Sequence, residues 1–371
     1  MRFVLFTHSI SSDWNHGNAH FLRGILRGLH GAGHRTLACE PETGWSLDNL
    51  RREPEGDRAI SKFAATFPEI AVERYGADPD LDRLLDGADV VIVHEWTDPA
   101  LVAAIGVKRR IGGRFILLFH DTHHRAVSAE SQMAALALDN YDAVLAFGAV
   151  LSETYRVRGW GRRAFTWHEA ADTELFRPHP EIAVDRDLVF VGNWGDEERS
   201  DELRHFLVGP SARLKLKTTV HGVRYPTKAI EALSAGGIAC EGYLPNLRVP
   251  QVLARHRATI HVPRGPYVKL LPGIPTIRVF EALASGIALV SAPWSDSEGL
   301  FRPGSDFLVA KDGEDMERQL RQLMADEPMR QALAAGGREQ VLKRHSCHHR
   351  VEELLAIVAE LGAPASRQVA A

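Results

Sequence analysis

The chain contains 371 residues, of which 45% are hydrophobic and 25% are charged. These proportions are typical of globular proteins and exclude a disordered or fibrous chain, and the length suits two domains of about 150–200 residues each. The 44 Lys and Arg residues and 48 Asp and Glu residues leave a net charge of -4, so no overall basic field would attract nucleic acid.

The cysteines and the apolar segments indicate the compartment. Cys39, Cys240 and Cys347 are odd in number and lack metal-type spacing, so we expect no disulfide framework. The first apolar run meets polar residues by Ser11, which favours a β-strand over a secretory segment. Because the sequence has no run of about 18 apolar residues, we expect no transmembrane segment and a cytoplasmic location.

Short apolar runs alternate with turns and amphipathic helices through the first half of the chain. A helix is expected over residues 18–30, where Phe21, Ile25 and Leu29 share one apolar stripe before Gly31. The apolar runs lack polar alternation, which favours parallel strands covered on both faces. They comprise residues 3–8, 36–39, 90–94, 115–120, 143–147 and 164–168.

This rhythm breaks after Asp172 and then restarts. Pro178 and Pro180 cannot continue a helix or a central strand, so we expect a linker there. A helix is predicted over residues 275–285, and the tail over residues 316–361 is predicted to be helical with breaks near Gly336-Gly337 and at 345–347. The predicted strands comprise residues 188–191, 216–221, 238–243, 259–262, 287–291 and 307–309.

The predicted fold class is α/β, with two facing, doubly wound, Rossmann-like parallel sheets and a helical tail. We predict an N-terminal lobe over residues 1–170, a linker over 171–187, a C-terminal lobe over 188–345 and a C-terminal helix over 346–371. Ligands of open parallel sheets bind at the carboxyl ends of the strands. Functional residues are therefore expected in the cleft between the lobes.

The loop after the first strand contains His16, Gly17 and Asn18 and leads directly into a helix. The free N–H groups of a helix start suit an anion, and Gly17 would let a phosphate or a sugar approach the backbone. An ordinary helix cap by Asn15 or Asn18 explains the same residues equally well.

Two further strands of the first lobe end in a histidine followed by a carboxylate. His94-Glu95 and His120-Asp121 could each orient a sugar hydroxyl or move a proton, although His94-Glu95 could also cap the helix that begins near Asp98. Three histidines and an aspartate within residues 120–124 also suggest a metal, but no distant partner has ligand spacing, so we expect none.

The second lobe opens with Gly192 and Asn193 at a strand end, followed by Arg199. Backbone N–H groups and a guanidinium in this order can cradle a diphosphate, although a tight turn beside solvated charges has the same pattern. His221 ends the next strand on the same side of the sheet.

The segment from Pro275 to Gly286 predicts a second anion-binding helix start. Pro275 suits the first helical turn, and the amides of Thr276 and Ile277 would then face the cleft. Glu281 could accept hydrogen bonds from two ribose hydroxyls, or could instead face water.

Residues 280–290 resemble the nucleotide-binding helix of GT-B glycosyltransferases, especially the retaining family 4 type. Residues 167–178 are similar to the interdomain segment of that group, and residues 192–194 with Arg199 and residues 275–281 resemble its CgeB-like branch. The tail over residues 345–355 also fits, including a last helix that crosses back to the first lobe. The first lobe matches mainly in layout.

The resemblance implies a nucleoside-diphosphate sugar donor in the second lobe and an acceptor in the first. It implies that Glu281 binds the ribose, that the amides of Thr276 and Ile277 bind the diphosphate, and that Arg199 or Arg278 supplies positive charge. His120 matches a histidine near the transferred sugar, and Asp121 is the other candidate base.

One position departs from the family 4 pattern. The acidic residue expected eight positions before the ribose glutamate is Gly273. Either His94, Glu95 or Asp121 replaces that acid, or the donor sugar differs.

These observations predict a hexosyltransferase-type enzyme that moves a sugar from a nucleotide sugar to an acceptor, with retention and without a metal or other cofactor. The alternatives are a nucleotide-sugar epimerase and a non-catalytic nucleotide-sugar-binding protein. The acceptor, the donor base and sugar, and the oligomeric state stay open.

Overall fold

The computed structural model describes residues 1–362 and contains two parallel β-sheets flanked by helices. The first sheet has seven strands in the order β3-β2-β1-β4-β5-β6-β7. Every neighbouring pair is parallel, as the predicted alternation of strands and helices requires. The strands are β1 (Arg2–Phe6), β2 (Arg35–Pro41), β3 (Ala71–Tyr75), β4 (Val90–His94), β5 (Ile116–Asp121), β6 (Ala143–Ala146) and β7 (Ala164–Thr166).

The second sheet has six strands in the order β10-β9-β8-β11-β12-β13 and is also parallel. In each sheet the order of the strands reverses beside the first strand, which is β1 in one sheet and β8 in the other. Such a reversal of strand order opens a crevice at the carboxyl ends of the strands. The strands are β8 (Arg186–Val191), β9 (Thr218–His221), β10 (Ala239–Cys240), β11 (His256–His261), β12 (Ala288–Ser291) and β13 (Leu308–Val309).

Helices cover both faces of each sheet, which explains the continuous apolar runs of the strands. Along β1, Phe3 and Leu5 pack into one hydrophobic cluster, while Val4 and Phe6 pack into another. Successive side chains of a strand point to opposite faces, so both faces of this strand must be apolar.

The helices connect the strands as crossovers, except for the last three, which form the tail. They are α1 (Ala19–Gly31), α2 (Trp45–Leu50), α3 (Gly56–Thr66), α4 (Leu81–Leu85), α5 (Pro99–Arg110), α6 (Arg125–Ser128), α7 (Glu130–Ala134), α8 (Ala149–Arg158), α9 (Ser200–Leu203), α10 (Gly209–Leu214), α11 (Thr227–Ala235), α12 (Val249–Ala254), α13 (Gly265–Lys269), α14 (Ile277–Ser285), α15 (Gly313–Ala325), α16 (Glu327–Arg344) and α17 (Cys347–Gly362).

Strand β3 and the interior of α16 differ from the sequence-based prediction. Strand β3 was not predicted, because it lies at the sheet edge and its Ala-Val-Glu-Arg-Tyr sequence has no buried apolar run. The predicted break at Gly336-Gly337 was wrong, since both glycines lie inside α16. A Cβ at Gly337 would lie 2.6 Å from the Asp306 carbonyl oxygen, so glycine permits close packing there.

The C-terminal helix α17 returns to the first sheet and packs against α1. A Cβ added at Gly24 would lie 2.6 Å from the Cys347 sulfur, so the two helices approach very closely. Between the lobes, the Ala171 N–H donates to the His345 carbonyl oxygen at 3.1 Å. The predicted lobe boundaries at 170, 187 and 345 stay predictions, and residues 363–371 of the predicted last segment lie outside the described part of the chain.

Across residues 1–362, every helix is too short or too polar to cross a bilayer.

Candidate functional site

A cavity of about 500 Å³ lies between the lobes, where the carboxyl ends of both sheets face each other. The loops after β1, β2, β4, β5 and β6 supply one wall, and the loops after β8, β9 and β11 with the start of α14 supply the other. Eleven of the sixteen predicted site residues line it: His16, Gly17, Asn18, His94, Gly192, Asn193, Arg199, His221, Thr276, Ile277 and Arg278. Their assigned roles stay predictions.

A row of histidine rings lies beneath the N-terminal wall. The ring centroids of His8 and His16 are 4.1 Å apart, and those of His8 and His94 are 5.8 Å apart. Burial lowers the pKa of His8 to about 4 and holds the pKa values of His16 and His94 well below the ordinary range. These imidazoles are therefore neutral at physiological pH.

His120 does not line the cavity. It is fully buried behind His94, with 5.3 Å between the ring centroids, and its ring also packs 4.9 Å from Trp167. Desolvation by burial lowers the pKa of His120 to about 3. The expectation that this strand end presents His120 to the cleft is corrected, because its side chain lies in the core.

Glu95 and Asp121 form a buried network next to the cleft instead of lining it. Glu95 accepts hydrogen bonds from the Thr122 amide and hydroxyl, each at 2.9 Å, and pairs with Arg125 at 3.0 Å. Asp121 accepts a hydrogen bond from the Tyr155 hydroxyl at 2.7 Å. Burial raises the pKa of both carboxyl groups, and the charge of Asp121 raises that of Glu95 further.

Arginines concentrate on the C-terminal wall. Arg199 donates to the carbonyl oxygens of Val262 at 2.5 Å and Asn193 at 2.7 Å, which fixes its guanidinium beside the glycine-containing turn after β8. Burial lowers the pKa of Arg199 to about 10, and the nearby Arg264 adds to this shift, so it remains charged at neutral pH. Arg264 donates to Asn193 Oδ1 at 3.1 Å and was not among the predicted site residues.

The start of α14 also faces the cavity, although Pro275 itself does not line it. The side chain of Thr276, the N-cap residue, accepts no hydrogen bond from the first-turn amides. The Val279 amide donates to the Thr276 carbonyl oxygen at 3.0 Å, which leaves the amides of Ile277 and Arg278 for another partner. Its hydroxyl lies 3.1 Å from His261 Nε2.

Glu281 lies behind the cavity wall. Its Oε1 atom is 3.0 Å from His20 Nδ1, and its other oxygen accepts a hydrogen bond from Arg278. Burial alone would raise the pKa of Glu281, but Arg278 and His20 outweigh it and lower the pKa. Arg278, which pairs with Glu281, lines the cavity, whereas Glu281 does not.

The absence of an acid at Gly273 has a local structural reason. Gly273 has φ +94, and a Cβ there would lie 2.5 Å from Ser297 Oγ and 3.0 Å from Glu298 Cγ. Glu298 in turn binds the Ala149 amide and His168, each at 2.9 Å. Of the three suggested replacements for that acid, only His94 lines the cavity.

Two tryptophans and one glutamate of the wall were missed by the sequence reasoning. Trp45 and Trp96 line the cavity although they are 45% and 41% exposed, and no local motif marks them. Glu169 lies two residues after Trp167, is only 3% exposed and lines the cavity beside the amide of Ile277. It lies within residues 167–178, which resemble an interdomain segment and in which the sequence predicted no site residue.

The lobes contact each other directly around the cavity. Asn193 Nδ2 donates to Asn15 Oδ1 at 2.7 Å, and the amide of Asn246 donates to Asp13 at 3.2 Å. His124 Nε2 lies 3.5 Å from Glu198. Within residues 1–362, no three His, Cys, Asp or Glu residues are grouped so that they could hold a metal ion.

Solved structures share this architecture over nearly the whole chain. Sucrose-phosphate synthase from Thermosynechococcus elongatus has a TM-score of 0.67 at 14% identity, with 97% of this chain and 99% of that chain covered. HepE from Anabaena, in complex with UDP and glucose, has a TM-score of 0.68 at 14% identity, with 97% and 99% covered. The chain has the GT-B fold. A glycosyltransferase from Rickettsia africae has a TM-score of 0.64 at 11% identity, with 97% and 98% covered.

Sequence comparisons agree with the GT-B assignment over the second lobe. The family model described as glycosyl transferase-like matches residues 199–356, which is less than half of the 371 residues. A comparison with curated proteins finds no match. The predicted GT-B fold is thus confirmed, whereas the family 4 type and the CgeB-like branch stay predictions.

Proposed function

We propose that this protein is a glycosyltransferase that moves a hexose from a nucleoside-diphosphate sugar to an acceptor hydroxyl. The observation that carries this proposal is the convergence of Arg199, Arg264, Arg278 and the uncapped start of α14 on one side of the interlobe cavity. Positive charge and free amides at that position suit a diphosphate, both in the ground state and as it departs. HepE, which shares the fold, was solved with UDP-glucose, and this supports the donor class.

In the proposed reaction, the bond between the anomeric carbon and the diphosphate oxygen breaks. A bond from that carbon to the acceptor oxygen forms, and the acceptor proton leaves with the nucleoside diphosphate. The arginines stabilise the charge that develops on the leaving group. The chemistry requires no electron transfer, and we propose that it proceeds without a metal or other cofactor.

We further propose that the anomeric configuration is retained. Inversion requires a protein base for the acceptor hydroxyl. The groups on the cavity wall are poorly suited to that role: Asp13 pairs with Arg23 at 3.0 Å and Asp196 pairs with Arg224 at 3.2 Å. Burial lowers the pKa of His8, His16 and His94, which weakens these imidazoles as bases. A departing phosphate oxygen can take the proton instead, on the face from which the acceptor attacks. NMR of the new anomeric linkage tests this point, and an inverted product would refute it.

A thermal-shift series with UDP-, GDP-, ADP- and dTDP-sugars tests the donor. One donor class is expected to raise the melting temperature, because a ligand that binds only the folded state stabilises it by mass action. Arg199→Gln and Arg264→Gln are each expected to weaken that binding about 10- to 100-fold, since hydrogen bonds to charged groups contribute about 1.5–3 kcal/mol. Arg204→Gln is the matched control, because Arg204 is exposed, pairs with Asp201 and lies outside the cavity.

Product analysis separates the proposed function from its alternatives. Incubation of the selected donor alone should give slow hydrolysis and no isomerised sugar, whereas an epimerase would isomerise it. A protein that binds the donor but neither hydrolyses nor transfers it with any acceptor would be a non-catalytic binder and would overturn the proposal.

A further inference from the structure

The acceptor side of the cavity has a distinctive composition. The wall supplied by the loops after β1, β2, β4, β5 and β6 contains three large aromatic side chains and no Val, Leu, Ile or Met. The aromatic residues are Trp45, Trp96 and Phe147. The other residues of the wall are histidine, asparagine, aspartate, threonine and glycine. Flat aromatic faces are therefore set among polar groups, and the wall contains no aliphatic side chain.

Trp45 stands at the surface end of the histidine row. Its indole stacks on the His8 ring with an interplanar angle of 3° and 6.2 Å between centroids, and it meets Trp14 edge-on at 5.5 Å. These contacts hold the ring while 45% of the residue stays exposed. Exposed large aromatic groups that are held in place and line a cavity are typical of ligand-binding surfaces.

Trp96 is fixed in a different way. The guanidinium of Arg125 lies 3.9 Å from its ring centroid, and Arg125 is itself anchored on Glu95 through Oε2 at 3.0 Å. This cation–π contact fixes the plane of Trp96 while 41% of the residue stays exposed. Glu95, which the sequence suggested as a direct acceptor contact, instead holds Arg125 and thereby fixes the orientation of Trp96.

The charge of the two walls differs. His8, His16 and His94 are neutral, since burial lowers the pKa of each. Asp13 is neutralised by Arg23 at 3.0 Å. The opposite wall contains four arginines, at positions 199, 224, 264 and 278. An anionic group is therefore attracted to the C-terminal wall with its four arginines. The N-terminal wall offers an anion no positively charged partner.

We propose that Trp45, Trp96 and the adjacent neutral imidazoles bind a neutral saccharide, whose hydroxyl is the acceptor. This inference rests on the proposed glycosyltransferase function. A sugar ring presents C–H faces that pack on indole and hydroxyl groups that hydrogen-bond to imidazole, amide and hydroxyl side chains. A lipid chain would need the aliphatic lining that is absent from this wall, and an anionic acceptor would need charge.

Binding of the saccharide can be measured without the donor. Cellotriose, maltotriose and chitotriose are titrated against the full chain, with isothermal titration calorimetry as the readout. At least one of them is expected to bind, and Trp45→Ala is expected to weaken its binding at least 10-fold. Trp45→Phe should retain most of the affinity because it keeps an aromatic face. Ile111→Ala is the control, since Ile111 is 68% exposed and lies outside the cavity.

Transfer then tests the same surface with the donor from the thermal-shift series. Trp45→Ala and Trp96→Ala should raise the acceptor KM at least 10-fold, whereas Ile111→Ala should leave it within about twofold of the parent. Equal saccharide KM values in the parent and both variants would overturn the inference, as would transfer to dodecyl phosphate or glucose 6-phosphate but to none of the neutral sugars. In those cases donor binding and hydrolysis by the parent would still support the proposed function. Absence of any donor binding by the parent would instead overturn the proposed function itself.

Discussion

Glu169 places a titratable group beside the proposed diphosphate site. Desolvation by burial raises its pKa well above the ordinary range, and the charges of Glu281 and Glu95 raise it further. Arg278 and the Ile277 amide act in the opposite direction but do not outweigh burial. Burial therefore favours the protonated, neutral form of Glu169, which lies beside a site that must accept an anion.

Donor affinity should consequently fall as the pH rises through the raised pKa of Glu169. Ionisation would add a negative charge beside the phosphates and oppose their binding. In Glu169→Gln the group cannot ionise, so we expect donor Kd to depend less on pH than it does in the parent. Isothermal titration calorimetry of the donor at several pH values measures this change.

Asp196→Asn provides the control for Glu169→Gln. Asp196 also lines the cavity, but its side chain is 48% exposed and pairs with Arg224. Its replacement should shift donor Kd by a similar amount at every pH measured. An identical pH slope in the parent and in Glu169→Gln would show that Glu169 does not titrate near the donor.

At the scale of single residues, the sequence located strand ends better than side-chain directions. His94 and His120 lie opposite each other in the register of β4 and β5, and both follow apolar runs with a carboxylate next in the chain. Only His94 lines the cavity, because Trp167 and Phe21 enclose the His120 ring. Those enclosing residues come from α1 and from the segment after β7, so no local pattern could reveal them.

At the scale of elements, the contact between α1 and α17 depends on glycine. A Cβ at Gly24 would lie 2.6 Å from Cys347 Sγ and 3.1 Å from Asp172 Cβ, whereas a Cβ at Gly31, on the same helix, would have no neighbour within 4 Å. Gly24→Ala is expected to lower the free energy of unfolding by about 1–3 kcal/mol, as overpacking of a core does. Gly31→Ala should leave it unchanged or raise it by up to about 1 kcal/mol, since alanine favours the helix.

Urea unfolding of both variants measures this difference. The two substitutions are chemically identical and lie in one helix, so helix propensity cannot explain opposite effects. Equal stability of Gly24→Ala and Gly31→Ala would contradict the tight packing of α17 on α1.

The degree of burial explains which elements the sequence predicts well. Central strands such as β4 and β12 are buried on both faces and stand out as apolar runs. Edge strands carry the opposite pattern: β3 is largely exposed, and β10 has only two residues although six were predicted. Gly336 and Gly337 predict a helix break by propensity, yet the packing of α16 against residues 305–306 requires them. Tertiary packing overrides local preference at such points.

At the scale of the whole molecule, the buried histidines should make the fold sensitive to acid. The row that runs from His8 through His94 to His120 stays neutral in the folded protein, and burial is the first cause of the lowered pKa in each case. The unfolded chain takes up protons below about pH 6.5, the ordinary histidine value. Since the unfolded state then binds more protons, stability falls as the pH falls below 6.5. Glu95, Asp121 and Glu169 oppose this trend, because burial raises the pKa of each.

Replacement of one histidine isolates its part of the pH dependence. His120 has a pKa of about 3 in the folded protein, and both of its ring nitrogens are buried without a hydrogen-bond partner. Between pH 7.5 and pH 5, its unfolded-state protonation should cost the parent about 2 kcal/mol that His120→Phe does not lose. Urea unfolding at both pH values measures the difference, and His348→Gln, at an exposed site on α17, should leave the parent's loss unchanged. Equal losses in the parent and in His120→Phe would contradict the lowered pKa of His120 and mean that its imidazole takes up protons in the folded state as readily as in the unfolded chain.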